Sequence, residues 1–248
     1  MGETVFRFKR FEVRNAVSAM KVNTDGVLLG AAVTLTGRDV RILDAGTGTG
    51  TIALMLAQRC HDHGIIPSIT GIDIDRPSAE EAAANFAASP WAETLKAENI
   101  ALQQCRGRFD LIISNPPYYD SSLQNLDARK STARHMAGKD EEHKSDAPLS
   151  YRSLLEFCGE HLEENGHLAM ILPADMETAV LRTARGFGMY ADRILRIRTV
   201  PHKKPARFIV EFSGQRPGSI AEDELTIQEN SRWTEEYTGL MKEFYLWA

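Results

Sequence analysis

The chain has 248 residues, 43% of them hydrophobic and 25% charged, which is the composition of an ordinary globular protein and points to one domain over residues 1–248. No run approaches the roughly 18 consecutive apolar residues of a membrane span, and the start MGETVFRFKRFEV lacks the apolar stretch of a secretory signal, so no membrane association is expected and the cytoplasm is the expected location. A net charge of -5 excludes a generalised coat for nucleic acid, and Cys60, Cys105 and Cys158, odd in number and not spaced as CxxC, suit neither a disulfide frame nor a metal cluster.

In chain order, alternation in VFRFKRFEV predicts a strand or hairpin arm over residues 5–13, the start of an N-terminal extension spanning residues 1–35. VRILDAG followed by TIALMLAQRC reads as strand, tight turn and helix, with Ile52, Met55 and Leu56 at helical spacing. SITGIDID is the next strand, and Ser78 with Glu81 matches the S-x-x-E capping box before the helix SAEEAAANFAAS. FDLIIS is a further strand. YRSLLEFCGEHLEENG reads as an amphipathic helix closed by Gly166, and HLAMILP as the strand after it. ADMETAVLRTARGFG is predicted helical, RILRIRTV and RFIVEFS are two closing strands around the loop HKKP, and the aromatic tail SRWTEEYTGLMKEFYLWA packs back as a helix. Strands alternating with helices imply a mostly parallel α/β sheet covered on both faces. Residues 119–148, polar and without periodicity, form a long loop of the kind that is functional or disordered.

Two motifs carry chemistry. The first is Asp44-Ala-Gly46-Thr-Gly48-Thr-Gly50, directly after a strand and opening a helix. Glycines there let a ligand approach the backbone, and the helix presents free amides and the positive end of its dipole. A dinucleotide fingerprint would need glycine where Thr51 stands, so the spacing leans away from NAD. Asp73, with Ile74 beside it, ends the next strand where an acidic residue meets ribose hydroxyls, and Asp75 is close enough to compete. Together these point to an adenosine-type cofactor.

The second motif is Asn115-Pro116-Pro117-Tyr118, at the end of FDLIIS. Proline offers no backbone donor and drives the residue before it out of helix, so the pair stops the strand and holds Asn115 extended at its tip. Combined with the upstream D-x-G-x-G-x-G, this order resembles the class I S-adenosylmethionine-dependent methyltransferases that act on planar amide or amino nitrogens. The resemblance implies a Rossmann-like fold with a mostly parallel seven-stranded sheet, an antiparallel closing hairpin, a catalytic core over residues 36–248 and S-adenosylmethionine as cofactor. It also implies that Asn115 and the Pro116 carbonyl accept the two hydrogens of a conjugated amine, with Pro117 holding the turn and Tyr118 and Tyr119 stacking on the flat substrate.

Within that group, FRFKRFEVRNAVSAMKVNTDGVLLGAAV, KPARFIVEF and LTIQENSRWTEEYTGLMKEFYL are similar to the bacterial tRNA valine adenine-N6 methyltransferases, a likeness running over residues 6–246. The family favours glycine where Asn23 stands. The resemblance implies that Lys21, Thr24 and Asp25 lie near the methionine end of the cofactor and that an acidic residue after the third strand, here Glu98, or else Asn99, reaches its adenine; a plain helix start is the other reading of Thr24-Asp25-Gly26. An RNA partner needs phosphate contacts, and Arg193, Arg196, Arg198, Lys203, Lys204 and Arg207 form a run without an acidic residue, with Arg7, Lys9, Arg10 and Arg14 a second group. No obligatory protein partner is expected. The alternatives are an N-P-P-Y methyltransferase acting on an rRNA or DNA base or a protein glutamine, the last disfavoured by the short stretch before Asp44, and a non-catalytic RNA-binding module.

Overall fold

The structure, a computed structural model, describes residues 4–18, 20–117 and 149–248. It opens with a hairpin of β1 (Val5–Arg7) and β2 (Glu12–Arg14), then α1 (Thr24–Ala32), β3 (Arg41–Ala45), α2 (Thr51–Asp62), β4 (Ser68–Ile72), α3 (Arg76–Ala87), β5 (Leu95–Glu98) and β6 (Phe109–Ser114). After the undescribed stretch come α4 (Tyr151–His161), β7 (Leu162–Pro173), α5 (Glu177–Gly186), β8 (Tyr190–Arg198), β9 (Arg207–Ser213) and β10 (Ala221–Thr226). A small hairpin of β11 (Gln228–Glu229) and β12 (Arg232–Trp233) leads into α6 (Glu235–Met241).

Eight strands form the central sheet in the order β10-β8-β9-β7-β6-β3-β4-β5. All neighbours pair in parallel except β9, which runs antiparallel to both β7 and β8. The period of two along each strand sends alternate residues to opposite faces. Ile42, Leu111, Ile113 and Ile171 therefore join one core with Leu28, Leu54 and Met241 of α1, α2 and α6. Leu43, Ile112, Leu168 and Met170 join a second core with Leu154 and Val180 of α4 and α5. This is the doubly covered, Rossmann-like sheet that the alternation of strands and helices implies, and among the described residues no helix is long and apolar enough to cross a membrane.

The differences from the expected elements have local causes. Residues 5–13 are not one strand: the chain turns, with the Phe8 amide donating to the Phe11 carbonyl at 2.9 Å, and both rings are buried and stacked, centroids 4.5 Å apart. Tyr245 of the tail stacks on Phe8, so the two ends of the chain close on each other. α3 begins two residues before the expected capping box, because Asp75 is the cap and accepts from the Ser78 amide at 3.0 Å. α4 stops at His161. Gly166 is no helix cap; it lies in β7, where a Cβ would come within 2.8 Å of the Phe109 carbonyl oxygen. The seven expected strands are joined by β10, whose acidic sequence AEDELT lies along the outer edge of β8.

Candidate active site

Three neighbouring parallel strands, β3, β4 and β6, deliver Asp44, Asp73 and Asn115 to one edge of the sheet. From β3 the chain moves outward through β4 and β5, then returns to β6 on the other side, so the crevice beyond these strands is the switch point at which α/β sheets bind ligands. A cavity of about 290 Å³ opens there, lined by Gly46, Ile72, Asp73, Ile74, Asp75 and Ser78 together with Ile100, Ala101, Leu102, Pro117 and Leu149. A recess of about 20 Å³ lies under the start of α1, lined by Lys21, Val22, Asn23, Gly26, Thr47, Thr49, Thr51 and Ile52. Met20, Gly46 and Asn115 line both, so the two meet at Asn115.

The glycines of the first motif serve different ends. All three have positive φ, 73° at Gly46, 56° at Gly48 and 80° at Gly50. Gly46 forms cavity wall, and a Cβ there would fall 2.5 Å from Leu149 Cδ2. At Gly50 a Cβ would strike the Phe86 ring at 2.4 Å, so that glycine is required by packing against α3. The Gly48 amide donates to Asp73 Oδ2 at 3.0 Å and the Asp75 amide to Oδ1 at 2.9 Å. Asp73 is thus held with a second lone pair on each oxygen, a geometry suited to a pair of ribose hydroxyls. Burial raises its pKa, against the two backbone bonds. Asp75 also lines the cavity, with its Oδ2 accepting from the amide and hydroxyl of Ser78 at 3.0 and 2.6 Å.

Asp44 is fully buried, accepting from Thr47 Oγ1 at 2.7 Å and the Ala53 amide at 3.3 Å through Oδ2, while Oδ1 has no partner among the described residues. Loss of hydration pushes its pKa up to about 7. The folded chain therefore prefers the neutral acid. The stability this gives is complete below the ordinary carboxylate range, near pH 4, and is lost as pH rises through about 7. Thermal melts between pH 5 and 8 should show the wild type losing stability relative to Asp44→Asn across that window; parallel curves would contradict the assignment.

Other expected contacts are placed differently. Neither Glu98 nor Asn99 belongs to the cavity wall: Glu98 is ion-paired with Lys96, and Asn99 donates to the Asp73 and Ile74 carbonyls at 2.9 and 3.0 Å, bracing the turn that carries Asp73. The apolar run Ile100 to Leu102 lines the cavity instead, together with Ile74, which is 57% exposed. Lys21 lines the recess but donates to the Asn15 and Ala16 carbonyls, and Asp25 accepts from Arg207 Nε at 2.8 Å. Thr24 opens α1 and lines neither space.

Glu81 was invisible as a site-building residue. Only 6% exposed, it accepts the amides of Ala16, Val17 and Ser18 at 2.8, 3.1 and 2.8 Å and anchors the segment that carries Met20 to the cavity. Three amides, of which that of Ser18 is buried, lose a charged acceptor in Glu81→Ala, which should cost roughly 1.5–3 kcal/mol. Denaturant unfolding checks this; a loss under about 0.5 kcal/mol would mean that the segment finds other partners.

At the end of β6, Ser114 Oγ donates to the Ala45 carbonyl at 2.7 Å, tying the strand end to β3, and Asn115 follows at 5% exposure with Pro116 buried and Pro117 exposed. The diproline removes two backbone donors, so the segment offers carbonyls and the Asn115 amide to the cavity. Tyr118 and Tyr119 lie outside the described residues, as does the rest of the expected loop.

The basic run requires a correction. Arg193 pairs with Glu211 and Asp223, Arg196 with Glu177 and Glu222, Arg198 with Glu224, and Arg207 with Asp25. Much of the positive charge is therefore matched within the chain, mainly by the acidic strand β10 alongside β8. Bonds from Glu177 and Glu222 raise the Arg196 pKa further. Lys203 and Lys204 differ: they are exposed on the loop between β8 and β9 and belong to no ion pair among the described residues. Because β8 is parallel to β7 and β6, that loop leaves the sheet at the same edge as Asn115.

The chain is similar to known proteins along its whole length. The family model of the methyltransferase small domain matches residues 14–137. A protein named tRNA1(Val) (adenine(37)-N6)-methyltransferase from Bacteroides thetaiotaomicron is 37% identical over 248 residues, 99% of each chain. One of the same name from Flavobacterium johnsoniae is 37% identical over 98% of this chain and 99% of its own. Among solved structures, a predicted O-methyltransferase from Agrobacterium tumefaciens superposes with a TM-score of 0.64 at 16% identity, covering 89% of this chain and 96% of that one, which is a likeness of fold.

Proposed function

Since the chain belongs to the bacterial tRNA1(Val) (adenine(37)-N6)-methyltransferase family, we propose that it transfers a methyl group from S-adenosylmethionine to the exocyclic N6 amine of adenine 37 in a valine tRNA, in the cytoplasm where that tRNA resides. The reading treats residues 1–248 as a single catalytic domain.

The residues present fit the cofactor. Gly46 leaves room a Cβ would fill, Asp73 offers two acceptors to vicinal hydroxyls, and apolar walls from Ile74 and residues 100–102 suit a flat purine. The polar recess beneath α1 suits the amino-acid end. When bound, the cofactor supplies an electrophilic methyl on a sulfonium. Everything else falls to the chain. An amine conjugated to a purine is a weak nucleophile, and Asn115 Oδ1 with the Pro116 carbonyl accept its two hydrogens and orient its nitrogen. No strong base is required, because the methylated amine sheds its extra proton readily. Tyr118 and Tyr119 grip the base face.

The observation that carries this reading is Asn115 at the meeting point of cavity and recess, in a chain related to its relatives from end to end. Purified protein, labelled cofactor and valine tRNA transcripts test it. Label should enter the transcript with adenine at position 37 and not one with guanine there; equal labelling of both would overturn it.

Lys203 and Lys204 are the proposed phosphate contacts. The double Ala variant should bind tRNA more weakly at low salt, and each lost contact should reduce the logarithmic salt slope by roughly 0.7–0.9. Filter binding at several salt concentrations measures both quantities, and an unchanged slope would move the RNA contact to Arg7, Lys9, Arg10 and Arg14.

A further inference from the structure

Beyond β10 the chain turns back on itself as a tight hairpin. Glu229 pairs with Arg232, leaving Asn230 and Ser231 as a two-residue loop with φ of 49° and 62°, the left-handed pair of a type I′ turn. The hairpin is tied to the sheet: the Gln228 amide donates to the Thr199 carbonyl at 2.9 Å, and the Thr234 amide to the Ile227 carbonyl at 3.1 Å. Trp233 is held against Trp247, ring centroids 5.0 Å apart and planes 21° from parallel, with Tyr237 5.3 Å away. It nevertheless stays 45% exposed. An aromatic ring fixed by other rings and open to solvent is a stacking surface with little entropy still to lose.

Trp233 lines a groove of about 690 Å³ whose wall includes Pro201, on the loop that carries Lys203 and Lys204. β10 is parallel to β8, so the hairpin leaves the sheet at the edge where Asn115 stands. Four strand spacings separate β6 from β10. At about 4.8 Å each that is roughly 19 Å, or about five or six nucleotides of a stacked strand. Arg232 also lines the groove, and like Lys203 and Lys204 it is exposed and outside every ion pair among the described residues. Glu229, Glu235 and Glu236 complete the polar lining. Carboxylates repel phosphate and accept N–H groups, so the groove suits the amino edge of a base rather than the RNA backbone.

We propose that this groove holds an unstacked nucleobase of the tRNA substrate, laid on the Trp233 ring while Lys203 and Lys204 meet the adjoining phosphates. The proposal rests on the tRNA reading given above and adds to it a second base-binding site, separate from the one that receives the target adenine.

Two variants separate stacking from packing. Trp233→Leu keeps apolar bulk without a π face, and Trp233→Phe keeps a ring. In filter binding, Trp233→Leu should weaken valine tRNA about tenfold at every salt concentration with the logarithmic salt slope unchanged, because stacking releases no counterions. Trp233→Phe should stay within about threefold of wild type. Cofactor affinity by calorimetry should be unaltered in both, since Trp233 lines neither cofactor space. Wild-type affinity in Trp233→Leu overturns the proposal, as does an equal loss in Trp233→Phe or a loss matched by weaker cofactor binding. A wild-type dimer in sedimentation that Trp233→Leu abolishes would give the groove to a second copy and overturn it too. Ultraviolet crosslinking of the wild type to the same tRNA needs no variant: a peptide containing Trp233 should carry a nucleotide, and crosslinks confined to other peptides contradict the proposal. Methyl transfer by the wild type reports on the underlying reading separately. Binding without labelling removes the reaction and leaves the Trp233 variants to decide the groove.

Discussion

Replacing Asn115 with alanine should lower kcat for tRNA methylation by about 10²-fold or more while cofactor affinity stays within a few fold. The side chain is 5% exposed and stands where the larger cavity adjoins the recess, so its loss removes the proposed acceptor for the amine without removing the proposed cofactor contacts on the loop after β3 and the turn after β4. The truncation also leaves a small void beside Met20, and a modest fall in Tm is expected with it. Single-turnover rates with enzyme in excess, set beside calorimetric titration of the cofactor, separate the two effects. Collapse of cofactor affinity with normal turnover at saturation would reverse the assignment and make Asn115 a cofactor ligand.

Asp73→Ala should do the opposite, weakening the cofactor by roughly 1.5–3 kcal/mol, about 10- to 150-fold in Kd, with a smaller effect on kcat once the cofactor is saturating. Two losses combine. The hydroxyl acceptors disappear, and the Gly48 and Asp75 amides that now hold the carboxylate are left without it, loosening the glycine loop and the start of α3 together. Asp73→Asn should also be impaired, because one of those two amides must then face an NH2 group. Asp75→Asn should keep its main cap contact and most of the affinity, since an asparagine oxygen can still accept from the Ser78 amide. If Asp75→Asn lost more affinity than Asp73→Ala, the hydroxyl contact would belong to Asp75.

How much was legible in the sequence follows from the range of each determinant. β3, β4, β6 and β9 are apolar runs closed by local signals, so they could be read directly, as could the stop at Asn115, which the diproline imposes on its own. β10 could not. AEDELT has the composition of an exposed loop and is a strand because β8 offers it an edge and a row of arginines; only Leu225 is buried. The same pairing misled the expectation for Arg196 and Arg198, whose carboxylate partners lie on β10 and α5, too far along the chain for a local reading of charge to find. Gly166 looked like a cap because helix-stopping glycines are common, whereas its requirement comes from the crowded backbone of β6. At the site, the D-x-G-x-G-x-G and N-P-P-Y spacings located the cavity, but its walls are held by contacts between distant segments: Glu81 with residues 16–18 and Asn99 with the turn after β4.

The central claim is that this chain places a methyl group on N6 of an adenine beside the anticodon of a valine tRNA. Nucleoside mass spectrometry of purified valine tRNA, from cells with the gene, without it, and carrying the Asn115→Ala variant, tests it most directly. N6-methyladenosine at position 37 should be present in the first and missing from the other two. Retention of the modified nucleoside without the gene, or its full restoration by the variant, would contradict the account.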